Sequence, residues 1–210
     1  SLRLAMIAPR LKAATIGWQH NCYDGYLHVK PVVFWQQENL LQQYLPNLDR
    51  YIVLSDYDKR DYMEKLGIDC EVKINPRSFV SEKKCDVKSK RFLMATRFVY
   101  AKGLDLMMES FEEFCKEDSE WELDIIGDGD LFDQIRADAK KRHLEKRVHF
   151  VGYTNEPEKY YLNSSVFLLP SRWEGWPMVI MEAFEFGLPV IAYHMGAMDL
   201  IIDDGKTGFL

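Results

Sequence analysis

Cysteine is scarce in this chain, with four residues among 210, and none of them falls into a recognisable site pattern. The spacings match neither the paired cysteines of a zinc site nor the dense framework of a small disulfide-rich protein. Such usage predicts reduced thiols in a cytosolic protein, with no metal bound. The four positions are Cys22, Cys70, Cys85 and Cys115.

Two further features are missing, and each absence excludes a class of protein. No apolar run approaches the roughly 18 residues that cross a bilayer, and the opening "SLRLAMIAPRLKAA" lacks the apolar core and cleavage site of a secretory signal. The chain also has no excess of positive charge, since its formal net charge is -6. Nucleic-acid binding is therefore disfavoured as its main activity.

From residue 90 onward the chain contains a repeated alternation of apolar strands and amphipathic helices. Two predicted strands, "VFLLP" and "LPVIA", are apolar throughout, which is typical of a parallel sheet covered by helices on both faces. The pattern predicts an α/β fold, a Rossmann-like doubly wound parallel sheet, over residues 79–210. In order, the segments are "RFLMA", a helix from Leu104 to Cys115, "WELDIIG", "DLFDQIRADAKKRHL", "RVHFVG", "EPEKYYLNS", "SVFLLP", a helix containing Glu182 and "LPVIA".

Residues 1–78 carry fewer elements and predict a partial second α/β segment. "ATIGWQH", "DRYIVLS" and "CEVKINP" read as strands, and "DYDKRDYMEKLG" reads as a helix ending at Gly67. The breaker-rich and charged residues 75–90 follow and are typical of a linker. Two domains are therefore expected, over residues 1–78 and 79–210.

Candidate site residues follow the predicted strands of the second domain. In open parallel sheets, ligands bind beyond the carboxyl ends of the strands. Arg97 and Lys102 would supply the positive charge that a diphosphate needs. Glu174, before the last predicted helix, and Glu182, within it, could each accept hydrogen bonds from the vicinal hydroxyls of a sugar. The remaining positions at these strand ends are Gly127, Asp128, Gly129, Gly152, Tyr153 and the run from Ser171 to Pro177.

Each of these residues also has an ordinary structural interpretation. An isolated cation pair is usually surface charge, "GDGD" is usually a turn, and Trp173 and Trp176 could simply pack in the core. The glycines also fail the dinucleotide fingerprint, because the third glycine position is Phe132. A nicotinamide-dependent oxidoreductase is therefore disfavoured, and the ordered combination of residues carries the functional signal.

Several segments together resemble the retaining glycosyltransferases of family 4, which have the GT-B fold of two Rossmann-like domains. The resemblance is strongest in "PSRWEGWPMVIMEAFEFGLPVIA", which carries Glu174 and Glu182 as the family's paired glutamates. It extends to "ATRFVYAKGLDLMMESF", "LDIIGDGDLFDQI" and "VHFVGY". In the first part, "TIGWQHN", "DRYIVLSDYDKRDYMEKLGI" and "VKINP" resemble the end of the family's N-terminal domain. The chain is thus expected to be a fragment that holds this end and most of the donor-binding domain, with little activity alone.

The resemblance implies a role for each matched residue. Arg97 and Lys102 match the pair that holds the donor diphosphate, and Glu182 matches the glutamate that binds the ribose. Gly152 and Tyr153 match the strand end that meets the base. Glu174 and His20 are implied in catalysis. Four residues are implied beside the donor sugar: Gly175, Trp176, Pro177 and Met178. For His20, a purely structural histidine fits equally well.

Three positions depart from the family pattern. Thr96 replaces a glycine, Met195 replaces another, and Asp199 replaces a glutamate. The last two substitutions resemble bacterial transferases that build capsule, lipopolysaccharide or exopolysaccharide. The implied reaction transfers a hexosyl group, with retention, from a UDP- or GDP-sugar to a hydroxyl of a glycan or glycolipid, without metal or cofactor. The expected location is the cytoplasm, with peripheral contact at the inner face of the membrane. A sugar-nucleotide epimerase and a noncatalytic nucleotide-binding partner remain alternatives.

Overall fold

The computed structural model describes residues 1–28, 37–118 and 120–210. They divide into two compact units, residues 1–76 with 173–176 and residues 77–172 with 177–210. Within the described residues no helix is both long and apolar enough to cross a membrane. All four cysteines are free thiols.

The first unit is built on a three-stranded parallel sheet in the order β1-β2-β3. The predicted strands are confirmed as β1 (Ile16–Trp18), β2 (Arg50–Val53) and β3 (Glu71–Val72). The predicted helix is α4 (Asp56–Leu66), and it ends at Gly67 in the left-handed conformation. Three short helices escaped the sequence analysis: α1 (Leu2–Ile7), α2 (Tyr23–Leu27) and α3 (Glu38–Tyr44).

The start of α4 shows why the chain forms a helix there. The Oγ of Ser55 accepts a hydrogen bond from the backbone N–H of Asp58 at 3.0 Å, which caps an otherwise unpaired donor. Asp56 and Asp58 place negative charge in the first turn, where the helix dipole favours it. The helix buries Tyr62, whose ring packs edge-on against Tyr23 and Tyr51. These aromatic contacts join α4 to α2 and to the sheet.

The second unit contains a six-stranded parallel sheet with the order β6-β5-β4-β7-β8-β9. Every predicted strand and helix of this region is present. Among the described residues, the two-residue β9 and two 3₁₀ turns, Tyr100–Lys102 and Met198–Leu200, were not predicted. The doubly wound parallel fold is therefore confirmed. The strands are β4 (Arg91–Ala95), β5 (Glu122–Ile126), β6 (Val148–Gly152), β7 (Val166–Leu169), β8 (Val190–Ala192) and β9 (Gly208–Phe209). The helices are α5 (Leu104–Glu117), α6 (Phe132–Lys141), α7 (Glu158–Leu162) and α8 (Met178–Glu185).

Strand β4 explains the uninterrupted apolar runs. Phe92 and Met94 face the cluster formed with α5 and α6, whereas Leu93 and Ala95 face the cluster formed with α7 and α8. Successive side chains of a strand point to opposite faces, so a strand covered on both faces must be apolar throughout. Full burial of each large side chain stabilises the fold by roughly 1.5–3 kcal/mol.

Residues 77–90, expected as part of a linker, are hydrogen-bonded to helices of the second unit. The guanidinium of Arg77 donates to the carboxylate of Glu185 at 2.8 Å, and the ammonium of Lys84 donates to the backbone carbonyl of Glu185 at 2.7 Å. The N–H of Cys85 donates to the carbonyl of Phe186 at 2.8 Å. This segment therefore packs along the end of α8.

Candidate functional site

The sheet order of the second unit defines where a ligand can enter. The chain proceeds outward from β4 through β5 to β6, then returns to β7 on the other side of β4. The loops that follow β4 and β7 therefore leave the same edge and diverge to opposite faces. In open α/β sheets this crevice is the usual ligand site. Arg97 and Lys102 lie in the first of these loops, as predicted.

The loop after β4 is anchored by Phe98. Its side chain is fully buried and packs against the ring of Phe132, with centroids 4.9 Å apart. Its backbone N–H donates to the carbonyl of Asp128 at 2.8 Å, and its carbonyl accepts from the N–H of Leu131 at 3.0 Å. Arg97, immediately before this anchor, is exposed. The cation is thus presented to solvent from a fixed backbone.

The glycines of "GDGD" have a structural reason of their own. A Cβ on Gly127 would lie 1.8 Å from the carbonyl oxygen of Thr96, and a Cβ on Gly129 would lie 2.7 Å from that of Phe98. Both glycines also have positive φ angles, 125° and 153°. They let the loop after β5 press against the loop that carries Arg97. The segment therefore shapes the loop after β4 that carries Arg97 and Lys102, which we call the cation loop.

The second cation loop residue, Lys102, lies in a 3₁₀ turn, Tyr100–Lys102, that contacts the loop after β7. A Cβ on Gly103 would lie 2.0 Å from the carbonyl oxygen of Pro170. The N–H of Arg172 donates to the carbonyl of Ala101 at 2.8 Å. The turn carrying Lys102 is thus held by backbone contacts at the switch point of the sheet, where the loops after β4 and β7 diverge.

Arg172 is a residue that the sequence analysis did not single out. Its guanidinium lies 4.0 Å from the centroid of the Tyr100 ring and donates to the Tyr100 carbonyl at 2.9 Å. The same group donates to both carboxylate oxygens of Asp105 at 2.8 and 2.6 Å. Arg172 holds the pKa of the Asp105 carboxyl below its ordinary value. No local sequence signal links the two residues.

Glu182 lies on α8 and lines a cavity of about 740 Å³ in the second unit. The hydroxyl of Tyr161 donates to its Oε2 at 2.8 Å. Burial raises the pKa of Glu182, and the Tyr161 hydrogen bond opposes that rise. The other walls come from the segment after the first unit, the loop after β6, α7 and the end of α8. They include Phe79, Val80, Lys83, Asn155, Glu158 and Phe186.

Gly152 and Tyr153 lie at the end of β6, beside the β4 loop. The carbonyl of Gly152 accepts from the N–H of Gly127 at 2.9 Å, and Gly127 in turn contacts Thr96. The side chain of Tyr153 is 78% exposed. An exposed ring at a strand end is suited to stacking on a base. Pro177 occupies the position before the first turn of α8, and Met178 is the first residue of that helix.

The remaining predicted residues belong to the first unit. A Cβ on Gly175 would lie 2.5 Å from the carbonyl oxygen of His20, so the structure brings these two positions together. The imidazole of His20 stacks on Trp18, with centroids 5.2 Å apart. Glu174, next to Gly175, is half-buried. The indole N–H of Trp176 is buried and has no hydrogen-bond acceptor among the described residues.

Cys22 lies close to this group and has the properties of a structural thiol. Burial raises its pKa to about 11, with the negative charges of Asp58, Asp24 and Glu174 acting in the same direction. A protonated thiol is a poor nucleophile. Covalent chemistry at Cys22 is therefore disfavoured. Over the described ranges, no group of three or more His, Cys, Asp or Glu side chains is arranged to hold a metal ion.

Several curated relatives of the chain are named as glycosyltransferases. A glycosyltransferase of unspecified substrate from Haemophilus influenzae is 29% identical over 165 residues, covering 77% of this chain and 47% of the relative. The amylovoran biosynthesis glycosyltransferase of Erwinia amylovora is 34% identical over 120 residues, covering 56% of this chain and 34% of the relative. The chain thus spans about a third to a half of the length of these relatives.

The fold is also that of solved glycosyltransferases. The structure of TarM from S. aureus superimposes with a TM-score of 0.83 at 24% identity, covering 94% of this chain and 40% of TarM. Residues 78–210 match the family model described as Glycosyl transferases group 1, and the match covers more than half of the chain. The chain therefore belongs to the glycosyl transferases group 1 family.

Proposed function

We propose that this protein transfers a hexosyl group from a nucleotide-diphosphate sugar to a hydroxyl of a growing glycan or glycolipid. The transfer retains the anomeric configuration, needs no metal ion and serves the synthesis of a bacterial surface polysaccharide. The observation that carries the proposal is the cation loop at the switch point of the sheet, in a unit where Glu182 lines a cavity of about 740 Å³. Such an edge is suited to a nucleotide.

The names of the relatives support this direction. The Erwinia amylovora relative is named for amylovoran biosynthesis, and another relative is the lipopolysaccharide 1,6-galactosyltransferase of Salmonella typhimurium. The TarM structure contains UDP and α-GlcNAc-glycerol. UDP is therefore the first nucleotide to test, with GDP as the alternative.

Arg97 and Lys102 are proposed to hold the donor diphosphate. When the bond between the sugar and the diphosphate breaks, negative charge grows on the departing phosphate oxygen. Cations held by a rigid loop stabilise that charge without having to reorganise during the reaction. The anchor at Phe98 and the backbone contacts around Lys102 supply the rigidity.

Glu182 is proposed to bind the ribose, with Gly152 and Tyr153 at the base. A carboxylate can accept hydrogen bonds from two neighbouring hydroxyls, which matches a ribose diol. The half-buried position of Glu182 strengthens such bonds, because the local dielectric is lower than in water.

Glu174 and His20 are proposed to act in catalysis, with Gly175, Trp176, Pro177 and Met178 beside the donor sugar. The unpartnered indole N–H of Trp176 supports a polar ligand nearby. A buried donor without an acceptor costs roughly 1–3 kcal/mol, so an acceptor supplied by a sugar hydroxyl would be favourable. The acceptor substrate is proposed to be lipid-linked, which would bring the protein to the cytoplasmic face of the membrane.

A thermal-shift panel with UDP, GDP, ADP and NAD tests the donor site. We expect one nucleoside diphosphate to raise the melting temperature of the chain, and NAD to have no effect. Glu182→Ala should abolish the shift, and Glu64→Ala, on the exposed surface of α4, should leave it unchanged. Stabilisation by none of the four ligands would contradict the proposal.

Turnover in the full-length protein separates binding from catalysis. Glu174→Ala should bind the nucleoside diphosphate as tightly as the parent yet lose transfer from the nucleotide sugar. Accumulation of a free epimerised sugar, without any acceptor product, would instead identify an epimerase.

A further inference from the structure

Tyr161 is among the most buried aromatic side chains of the second unit. It is 1% exposed, and its ring stacks against both Phe167 and Phe186, with centroids 5.8 and 5.2 Å away. The two stacking contacts fix the plane of the ring, so the direction of its hydroxyl is fixed as well. That hydroxyl lies 2.8 Å from Oε2 of Glu182.

The hydrogen bond uses only one of the two carboxylate oxygens. Among the described residues, Tyr161 is the one hydrogen-bond partner of the Glu182 side chain. Oε1 therefore keeps its full capacity to accept, and Glu182 lines the cavity of about 740 Å³. A rigid donor on one oxygen leaves the other presented to a ligand in a defined orientation.

Charged side chains around Glu182 neutralise one another. Lys83 pairs with Glu158 at 2.9 Å and Lys159 pairs with Glu156 at 3.3 Å. On α8 itself, Glu185 pairs with Arg77 at 2.8 Å. None of these cations pairs with Glu182. Among the described residues, the phenol of Tyr161 is thus the group that stabilises the Glu182 carboxylate. Burial raises the pKa of that phenol, so it stays protonated and can donate the hydrogen bond.

We propose that Tyr161 is a positioning residue for the donor nucleotide, holding Glu182 so that its second oxygen accepts the vicinal hydroxyls of the ribose. The inference rests on the proposed function and adds a residue to it. Tyr161 acts through Glu182 and does not itself need to touch the ligand.

The test measures UDP affinity in Tyr161→Phe, which removes the hydroxyl and keeps the ring. Without the hydroxyl, Glu182 is no longer held toward the ribose, so we expect Kd for UDP to rise about tenfold, which corresponds to about 1.4 kcal/mol. Tyr160→Phe is the matched control, because the neighbouring ring contacts Lys159 rather than Glu182. The control should keep the affinity of the parent.

Two readouts separate positioning from a merely structural effect. Loss of the hydroxyl removes the interaction that lowers the pKa of Glu182. When the pH is lowered, Glu182 should therefore be protonated, and UDP binding lost, at a higher pH in Tyr161→Phe than in the parent. The affinity ratio between UDP and its 2′-deoxy analogue should also shrink in the variant, since Glu182 would no longer be aligned on the ribose. Neither change is expected from a general loosening of the core.

The outcomes are distinct for the two proposals. If the parent binds UDP, GDP or ADP and Glu182→Ala abolishes that binding, while Tyr161→Phe keeps the parent's affinity and pH profile, the role of Tyr161 is overturned and the proposed function stands. If the parent binds none of these, both fail. If Tyr161→Phe does not fold, Glu182→Asp is the second variant. Its shorter side chain keeps the negative charge but moves the carboxylate away from the Tyr161 hydroxyl. An affinity for UDP equal to that of the parent would then overturn the inference.

Discussion

The guanidinium of Arg172 forms a two-pronged hydrogen bond with the carboxylate of Asp105, at 2.8 and 2.6 Å, across 67 residues of sequence. It joins the loop after β7 to the first turn of α5 and, with the Tyr100 carbonyl, encloses the turn that carries Lys102. The relationship is one of geometry more than of charge, because Arg172 is 19% and Asp105 is 52% exposed and solvent screens the pair.

Replacement of Arg172 by lysine tests this geometry. Lysine keeps the positive charge but cannot form the planar double contact. We expect the free energy of unfolding to change by less than about 1 kcal/mol, whereas Kd for the nucleoside diphosphate rises several-fold because Lys102 is held less firmly. Isothermal titration calorimetry and urea unfolding measure the two quantities. Equal affinity in Arg172→Lys and the parent would show that the contact does not support the site.

Gly103→Ala probes the contact between the two switch-point loops. Gly103 has a φ of 63° and no room for a Cβ, which would lie 2.0 Å from the Pro170 carbonyl oxygen. Gly205, with a φ of 76° and nothing within 4 Å, is the matched control in the same unit. The left-handed backbone alone costs about 1–2 kcal/mol for a residue with a Cβ. Gly205→Ala should lose about that much in urea unfolding, and Gly103→Ala clearly more. Equal losses would mean that the loops can separate freely.

Arg97→Ala and Lys102→Ala should each lower turnover of the full-length protein by about 10²–10³-fold, as removal of a group that stabilises developing charge commonly does. Lys116→Ala is the control, since Lys116 is an exposed lysine of α5 that pairs with Glu113 on its own helix. Steady-state kinetics with the nucleotide sugar identified by the panel provide the measurement. Parent-like turnover in either variant would remove that residue from the diphosphate site.

Glu182→Gln should stabilise the free protein at neutral pH while abolishing nucleotide binding. Burial raises the pKa of Glu182 above its value in the unfolded chain, so the native state holds the proton more tightly. The native state therefore loses stability as the pH rises from the unfolded pKa through the folded one. At pH 7 the carboxylate therefore opposes folding, and an uncharged amide does not. Thermal unfolding at pH 7 and at pH 4 measures the effect, with the gain present at pH 7 and reduced at pH 4. A lower melting temperature at pH 7 would contradict this account.

Much of the architecture could be predicted from the sequence because its signals are local. An apolar run such as "RFLMA" identifies a strand buried on both faces, and the spacing from Leu104 to Cys115 identifies a helix with one buried face. Arg97 and Lys102 could be placed at the ligand edge because the carboxyl ends of parallel strands share that edge. The short helices α1 to α3 were missed, since five to seven residues hold too few turns to show a helical period. The equally short α7 was predicted because it lies within a regular alternation of strands and helices.

The tertiary structure alone decided the contacts between residues that are far apart in sequence. Nothing near Tyr161 or Glu182 in the sequence marks them as partners, because a hydrogen bond across 21 residues depends on how α7 and α8 pack on the sheet. The same holds for Arg172 and Asp105, and for Gly127, whose missing side chain makes room for Thr96. The sequence by itself determined the elements, their order and the edge where the candidate residues gather. Packing determined which side chains hold those residues in place, because side-chain orientation depends on neighbours that local patterns do not record.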